Sequence, residues 1–438
     1  MVPERSLEEV IQEKAFAKLF AVQGQPLFQL CNTLAGRAAE DWNKRHYYEL
    51  HSEADDVESF LDDYGARYNR TYVLARELVA SIRWFAMAGF SVSHLNGRFD
   101  SYGLMVSFSE PETTEARASL AAVQGFVHAS LSALAAELRA TVERLGVTWP
   151  GDGYSEGDLK HGVAPRHRLP RNIGEEILDE EEQHIAEIAS KYLAACDMFD
   201  ELGVRRVTDE VERNTRLARF CTEEQARVYE ATVHNLQSAY DTHIKNTVVE
   251  GRDDRLPRLR GHLSAALHLL EAVTFLTHFV ERHDSGARGE SAEARIVSLI
   301  DRHAVQDVIL NHLLFWADRF IQRGRPVADD LLPEYTNLQE LVVEVPDQLT
   351  LHARPASLVV NIVARYGTPV ELEVAGKKCN ASSILELLVT VGASPDARRY
   401  VFRGDENPLR DIGLLFEHQL GENGLERLPE ALAYLRNG

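Results

Sequence analysis

Cysteine is scarce in this 438-residue chain, and none of the four stands near another. Cys31, Cys196, Cys221 and Cys379 form no C-x-x-C pair and lack the density of a secreted disulfide scaffold. They read as free thiols in a reducing compartment, so a cytoplasmic location is expected, and no metal site follows from them. Basic residues are also short, 47 Lys and Arg against 68 Asp and Glu, for a formal charge of -21. That surplus of carboxylates repels phosphate backbones and anionic headgroups, which argues against nucleic acid as a partner and favours proteins. Long uninterrupted apolar runs are missing too. The most apolar stretch, Leu263 to Val280, is broken by His268, Glu271 and His278 and reads as a buried bundle helix, so no membrane insertion is expected. The first residues, Met1 to Lys14, carry Glu4, Glu8, Glu9 and Glu13 where an export signal needs a basic start and an apolar core, so export is not expected. No GxxxxGK[ST] and no GxGxxG occurs, and no cofactor is implied.

What is present divides into two patterns. A chain of this length exceeds one comfortable core, so at least two domains are expected. Up to about Arg323, apolar residues recur every three or four positions. Tyr72, Leu78, Ile82, Phe85 and Gly89 share one helical face, as do Leu120, Val123, Val127, Leu131, Leu134 and Leu138. A second set runs through Ile177, Ile185, Ile188, Tyr192 and Ala195, then Tyr229, Val233, Leu236, Tyr240 and Ile244, the latter opened by a Thr222-x-x-Gln225 capping box. Residues 1–323 therefore read as an all-α helical bundle, and the Gly- and Pro-rich stretch Val147 to Asn172 as a long loop that divides it into two subdomains. The last bundle helix is placed at His303 to Gln322, and residues 324–337, with Gly324, Pro326 and Pro333, have the composition of a linker.

Beyond the linker the period changes. Leu341 to Val345, Val370 to Val374, Lys377 to Asn380 and Arg399 to Phe402 read as strands, separated by helices whose apolar faces hold Leu358, Val359, Ile362, Val363 and Tyr366, then Ile384, Leu385, Leu387 and Leu388, then Ile412, Phe416 and Leu420. The order βαββαβα predicts an α+β domain over 338–421, a four-stranded sheet covered by helices on one face. Residues 422–438 add a short helical extension through Leu425, Leu428, Leu432 and Leu435, with Pro429 in its first turn.

Chemistry concentrates at Leu349-Thr350-Leu351-His352-Ala353-Arg354-Pro355-Ala356-Ser357, where the first strand gives way to a helix. Pro355 suits a first turn, which places His352 at the helix amino terminus beside unpaired amides. Arg354 can bring a guanidinium to the same anion. Imidazole is a nucleophile near neutral pH and its phosphoramidate is labile, so this group is suited to relaying phosphate. The segment Leu351-His352-Ala353-Arg354-Pro355-Ala356, followed some thirty residues on by Ala381-Ser382-Ser383-Ile384, resembles the two signature segments of HPr, the histidine phosphocarrier of the phosphoenolpyruvate-dependent sugar phosphotransferase system.

The resemblance spans about Leu338 to Gly421. It implies that His352 accepts the phosphoryl group, that Arg354 stabilises it, that Ser383 occupies the regulatory serine position, and that Ile384, Leu385 and Leu388 form an apolar docking patch. It also implies an enzyme I-like donor and an EIIA-like or regulatory acceptor. Nothing like the GGxTSHxAI-type segment of the enzyme that charges HPr is present, so the donor acts in trans and the chain is a phosphoryl carrier with a phosphohistidine intermediate rather than an enzyme with independent turnover. Thr350 stands where the family usually has glycine, Asn361 and Ala364 occupy its basic docking positions with Arg365 the nearest cation, and Ser382 replaces a common lysine. These departures keep a second reading open, in which phosphorylation at His352 or Ser383 controls how the bundle engages another protein. The bundle is expected to provide oligomerisation or partner docking.

Two further features of the helical part bear on a third, enzymatic reading. Glu181-x-x-His184 has a di-iron spacing but no second copy, and His268-x-x-Glu271 has the reverse order, so both read as bundle polar residues and no metal is expected. Lys160, His161, Arg166, His167, Arg168 and Arg171 make one basic patch, read as a solvated loop.

Overall fold

The computed structural model describes residues 10–155, 178–282, 290–346 and 349–437. These fall into two units: residues within Met1–Leu169, Leu202–His234 and Gly261–Ile321, and residues within Pro170–Glu201, Asn235–Arg260 and Gln322–Gly438. Part of the expected bundle, 178–201 and 235–260, thus belongs with the C-terminal part. Ile177 and the basic patch at 160–171 lie outside the described residues.

The first unit is helical, as the 3.6-residue period requires. Helices α1 (Glu13–Gln23), α2 (Gln25–Ala35), α3 (Lys44–Asp63), α4 (Val73–Arg98) and α5 (Glu110–Arg144) carry its core. Tyr72, Leu78, Ile82 and Phe85 are buried, and so are the six apolar residues expected on one face of α5. Gly89 lies directly against the ring of Tyr47, and a Cβ there would overlap it, so the glycine sets how closely α3 and α4 approach. Helix α5 starts with a capping box the periodicity did not mark: Ser109 and Glu112 each accept the other's backbone N–H. In the described start of the Gly- and Pro-rich stretch, Trp149 stacks on Phe28 at 4.4 Å and donates to Asn32. By length and composition alone, three helical segments could cross a membrane, Val73–Tyr102, Glu110–Arg144 and Arg255–Arg282. Leu263, Leu267, Leu270, Val273 and Leu276 of the last are buried in protein.

Helices α6 (Leu178–Leu202), α7 (Glu210–Phe220), α8 (Glu223–His243), α9 (Val248–Arg252), α10 (Arg255–Arg282) and α11 (Glu290–Leu299) follow. Thr222 and Gln225 form the expected box at the start of α8. The expected helix 303–322 is instead α12 (Arg302–Asp307), a π-helical segment (Val308–Leu314) and α13 (Phe315–Glu334). In the π segment, Asn311 accepts the N–H of Val207 at 2.6 Å and donates to its carbonyl at 2.8 Å. The linker expectation is corrected: α13 runs through Gly324, Pro326 and Pro333. Packing outweighs the breakers. Ala328 and Leu331 are buried, and Arg325 bridges Asp197 and Asp200 of α6 at 2.9 and 2.8 Å.

The C-terminal domain has the expected order, β1 (Leu338–Glu344), α14 (Ala353–Tyr366), β2 (Val370–Val374), β3 (Lys377–Asn380), α15 (Ile384–Gly392), β4 (Arg399–Asp405) and α16 (Glu406–Glu417). The strands form one antiparallel sheet, β1-β4-β2-β3, with Leu341 and Leu372 both paired to Phe402. Ala375 and Gly376, both left-handed, make the two-residue hairpin between β2 and β3. Leu372, Phe402, Val359, Ile362, Leu387 and Ile412 fill the core. On the open face, Arg403 ties Glu340 and Glu373 together at 2.8 and 2.6 Å across β4's two neighbours.

The extension joins this core through buried Leu428, Leu432 and Leu435. It consists of two 3₁₀ segments, Leu425–Arg427 and Glu430–Asn437, rather than one helix. Pro429 forces the residue before it out of helical conformation, and Leu428 is extended at φ -63, ψ 146.

Candidate functional site

His352 is the N-cap residue of α14, with extended backbone at φ -84, ψ -173, and its ring makes no capping hydrogen bond. Its neighbours hold it in place: Leu351 is buried on one side, Pro355 and Ala356 on the other, and the His352 carbonyl accepts from Ala356 N at 2.9 Å. With both flanks anchored in the core, the ring itself is left 52% exposed.

The first amides of a helix have no intrahelical acceptor. In α14 these belong to Ala353 and Arg354, because Pro355 at the third position has none, and they stand with the positive end of the helix dipole beside the imidazole. Arg354 is exposed and makes no ion pair among the described residues, so its guanidinium is available to an incoming anion. One residue absent from the expected set completes the surroundings: Glu422 Oε1 lies 3.2 Å from His352 Nε2. Nothing local in the sequence marks Glu422, which follows α16 by five residues and reaches His352 only through the fold.

Ser383 is the N-cap of α15, where its Oγ accepts the N–H of Glu386 at 3.3 Å. Ser382 donates through both its amide and its hydroxyl to Asn380 Oδ1. Of the three residues expected to form an apolar patch, Ile384 and Leu385 are 40% and 70% exposed, while Leu388 leans on the core. Val389, 62% exposed, is the apolar residue that expectation missed. Helices α14 and α15 pack together. Arg365, the cation nearest the vacant docking positions, lies over the ring of Tyr434 at 4.2 Å and so is engaged with the extension.

Elsewhere, the side chain of Glu181 lies outside the described residues, and His184 stacks on His243 at 3.9 Å. Burial, with His184 second, lowers the affinity of His243 for a proton. His268 Nδ1 faces Glu271 at 3.0 Å, and its Nε2 faces Tyr102 at 3.3 Å. Among the described residues, no group of three or more His, Cys, Asp or Glu is placed to hold a metal ion. All four cysteines are buried and unbridged, and burial pushes the thiols of Cys31, Cys196 and Cys221 up to about 12.

The fold and the ring define a small α+β carrier domain that presents one histidine at a helix amino terminus. Residues 339–398 match the family described as the phosphotransferase-system HPr component phosphorylation site, so the C-terminal module of this chain is an HPr domain. That domain carries a phosphocarrier role in the phosphotransferase system, and the helical part of the chain lies outside the match. No solved structure matches the chain.

Proposed function

We propose that the protein is a phosphocarrier that takes a phosphoryl group on His352 from an enzyme I-like donor in trans and passes it to an EIIA-like or regulatory acceptor protein. The observation that carries this reading is the half-exposed ring at the start of α14, anchored on both sides and unused as a cap. A transferring phosphoryl group bears charge on its equatorial oxygens, and positioned N–H donors and a guanidinium stabilise it without reorganising. The amides of Ala353 and Arg354 and the Arg354 side chain supply those donors. Ile384, Leu385 and Val389 give partners an exposed apolar surface on α15, the helix packed against α14. Phosphate relay within a reducing, cytoplasmic compartment suits the four buried thiols, and the acidic chain suits protein partners rather than nucleic acid or membrane.

A regulatory reading, in which phosphorylation alters partner binding by the helical part, has one contact in its favour. Gly367, the left-handed C-cap of α14, lies against Glu187 of α6, where a Cβ would come within 2.6 Å of Glu187 Cγ. The helix that starts at His352 therefore ends on a helix of the same unit.

The test is incubation of the full chain with phosphoenolpyruvate and enzyme I, followed by assay for acid-labile, base-stable phosphate on wild type and on His352→Ala. Label on wild type alone supports the carrier. An unlabelled wild type beside an active control HPr excludes charging by that donor and leaves the regulatory reading with another donor.

A further inference from the structure

We propose that Glu422 is a positioning residue for this transfer: it fixes which ring nitrogen of His352 carries the proton and holds that proton through both halves of the relay. The inference rests on the carrier reading above. A carboxylate accepts hydrogen bonds and cannot donate, so the ring nitrogen 3.2 Å from Glu422 Oε1 is the protonated one. A neutral imidazole has a single N–H, and Nδ1 is then left with its lone pair.

The backbone that delivers Glu422 is built for the purpose. Gln419, Leu420 and Gly421 are successively left-handed, at φ 55, 56 and 73, and two of the three are residues with a Cβ that rarely adopt that conformation. Such a turn persists only where its surroundings enforce it. Here Leu420 is buried, and a Cβ on Gly421 would press on Leu358 of α14 at 3.1 Å. Downstream the extension is pinned by Leu428, Leu432 and Leu435 and by Tyr434, whose hydroxyl donates to Asp411 at 2.7 Å. The carboxylate is held from both sides rather than carried on a free tail.

In the charging step the Nδ1 lone pair forms the bond to phosphorus, and the donor–phosphorus bond breaks with its electron pair leaving on the donor protein. The ring becomes cationic with its proton still on Nε2, facing Glu422. In the onward step the N–P bond breaks, its pair returns to Nδ1 as the acceptor's nucleophile takes the phosphoryl group, and the neutral ring with Nε2–H is restored. The proton stays on Nε2 against Glu422 in both steps, so neither step needs a proton from water. The arrangement parallels the acid that orients histidine in hydrolase triads.

The experiment uses the full chain as wild type, Glu422→Gln and Glu422→Ala, with ¹⁵N NMR of the His352 ring and the rate of phosphoryl uptake from charged enzyme I. Wild type is expected to show the Nε2–H tautomer. Gln keeps an acceptor oxygen without charge, so it should retain the tautomer and lose about 10-fold or more in rate, whereas Ala should lose both. A Glu422→Ala protein with the wild-type tautomer and rate overturns the proposal. Because the ring spectrum needs no donor, a wild type that accepts no phosphate from enzyme I excludes charging by that donor while the tautomer still decides the role of Glu422.

Discussion

Tyr434, in the last segment of the chain, and Tyr366, at the end of α14, donate to the same oxygen of Asp411, each at 2.7 Å. Asp411 is buried on α16. One carboxylate thus joins the helix of the reactive histidine to the C-terminal extension, and both phenols are raised above their ordinary value, first by burial and then by the Asp411 bond.

The extension should therefore be part of the domain's stability. Asp411→Ala leaves the hydroxyls of buried Tyr366 and half-buried Tyr434 without this acceptor and should cost about 2–4 kcal/mol. Truncation after Gly421 removes three buried leucines, each contributing about 1.5–3 kcal/mol by burial. Hydrogen exchange of α14 and α16 amides in the full chain measures both; native protection after truncation would show the extension to be dispensable.

Ser383→Ala should destabilise α15 by about 1 kcal/mol, since its hydroxyl caps the helix. Phosphate uptake at His352 should be unchanged. Uptake falling with no loss of amide protection in α15 would instead give the serine a direct part in transfer.

Two leucines three residues apart should separate docking from folding. Leu385→Asp, on the exposed side of α15, should leave stability within about 0.5 kcal/mol of wild type and raise the KM for the donor. Leu388→Asp places a charge against the core and should melt the domain. Urea denaturation and uptake kinetics on the two proteins distinguish these outcomes.

In the first unit, burial, with His268 and Lys44 second and third, holds His94 down to about 4 from 6.5. The unfolded chain binds more protons between those values, so folding stability is fully present above about pH 6.5 and is lost progressively as pH falls toward 4. Replacing the ring by His94→Gln should flatten this part of the curve, which thermal melts across pH 4 to 7 would show.

Much of the C-terminal domain was legible because its signals are local. Alternation marks β2, with Val370, Leu372 and Val374 buried and Glu371 and Glu373 half-buried on the other face. Spacing of three and four residues marks α14, and Pro355 fixes where that helix starts. His352 was legible for the same reason, since its position at a helix start follows from the residues on either side of it.

What only the tertiary structure decided depends on contacts between distant residues. Pro326 reads as a breaker until Arg325 is seen bridging α6 across more than a hundred residues, at which point packing overrides propensity. Leu388 and Val389 are equally apolar in sequence, and only the packing of α15 against α14 and the sheet turns one toward the core and leaves the other exposed. Glu422 is seventy residues from His352, and burial of Leu420, Leu428, Leu432 and Leu435 holds the strained left-handed turn that brings them together, which no local pattern encodes.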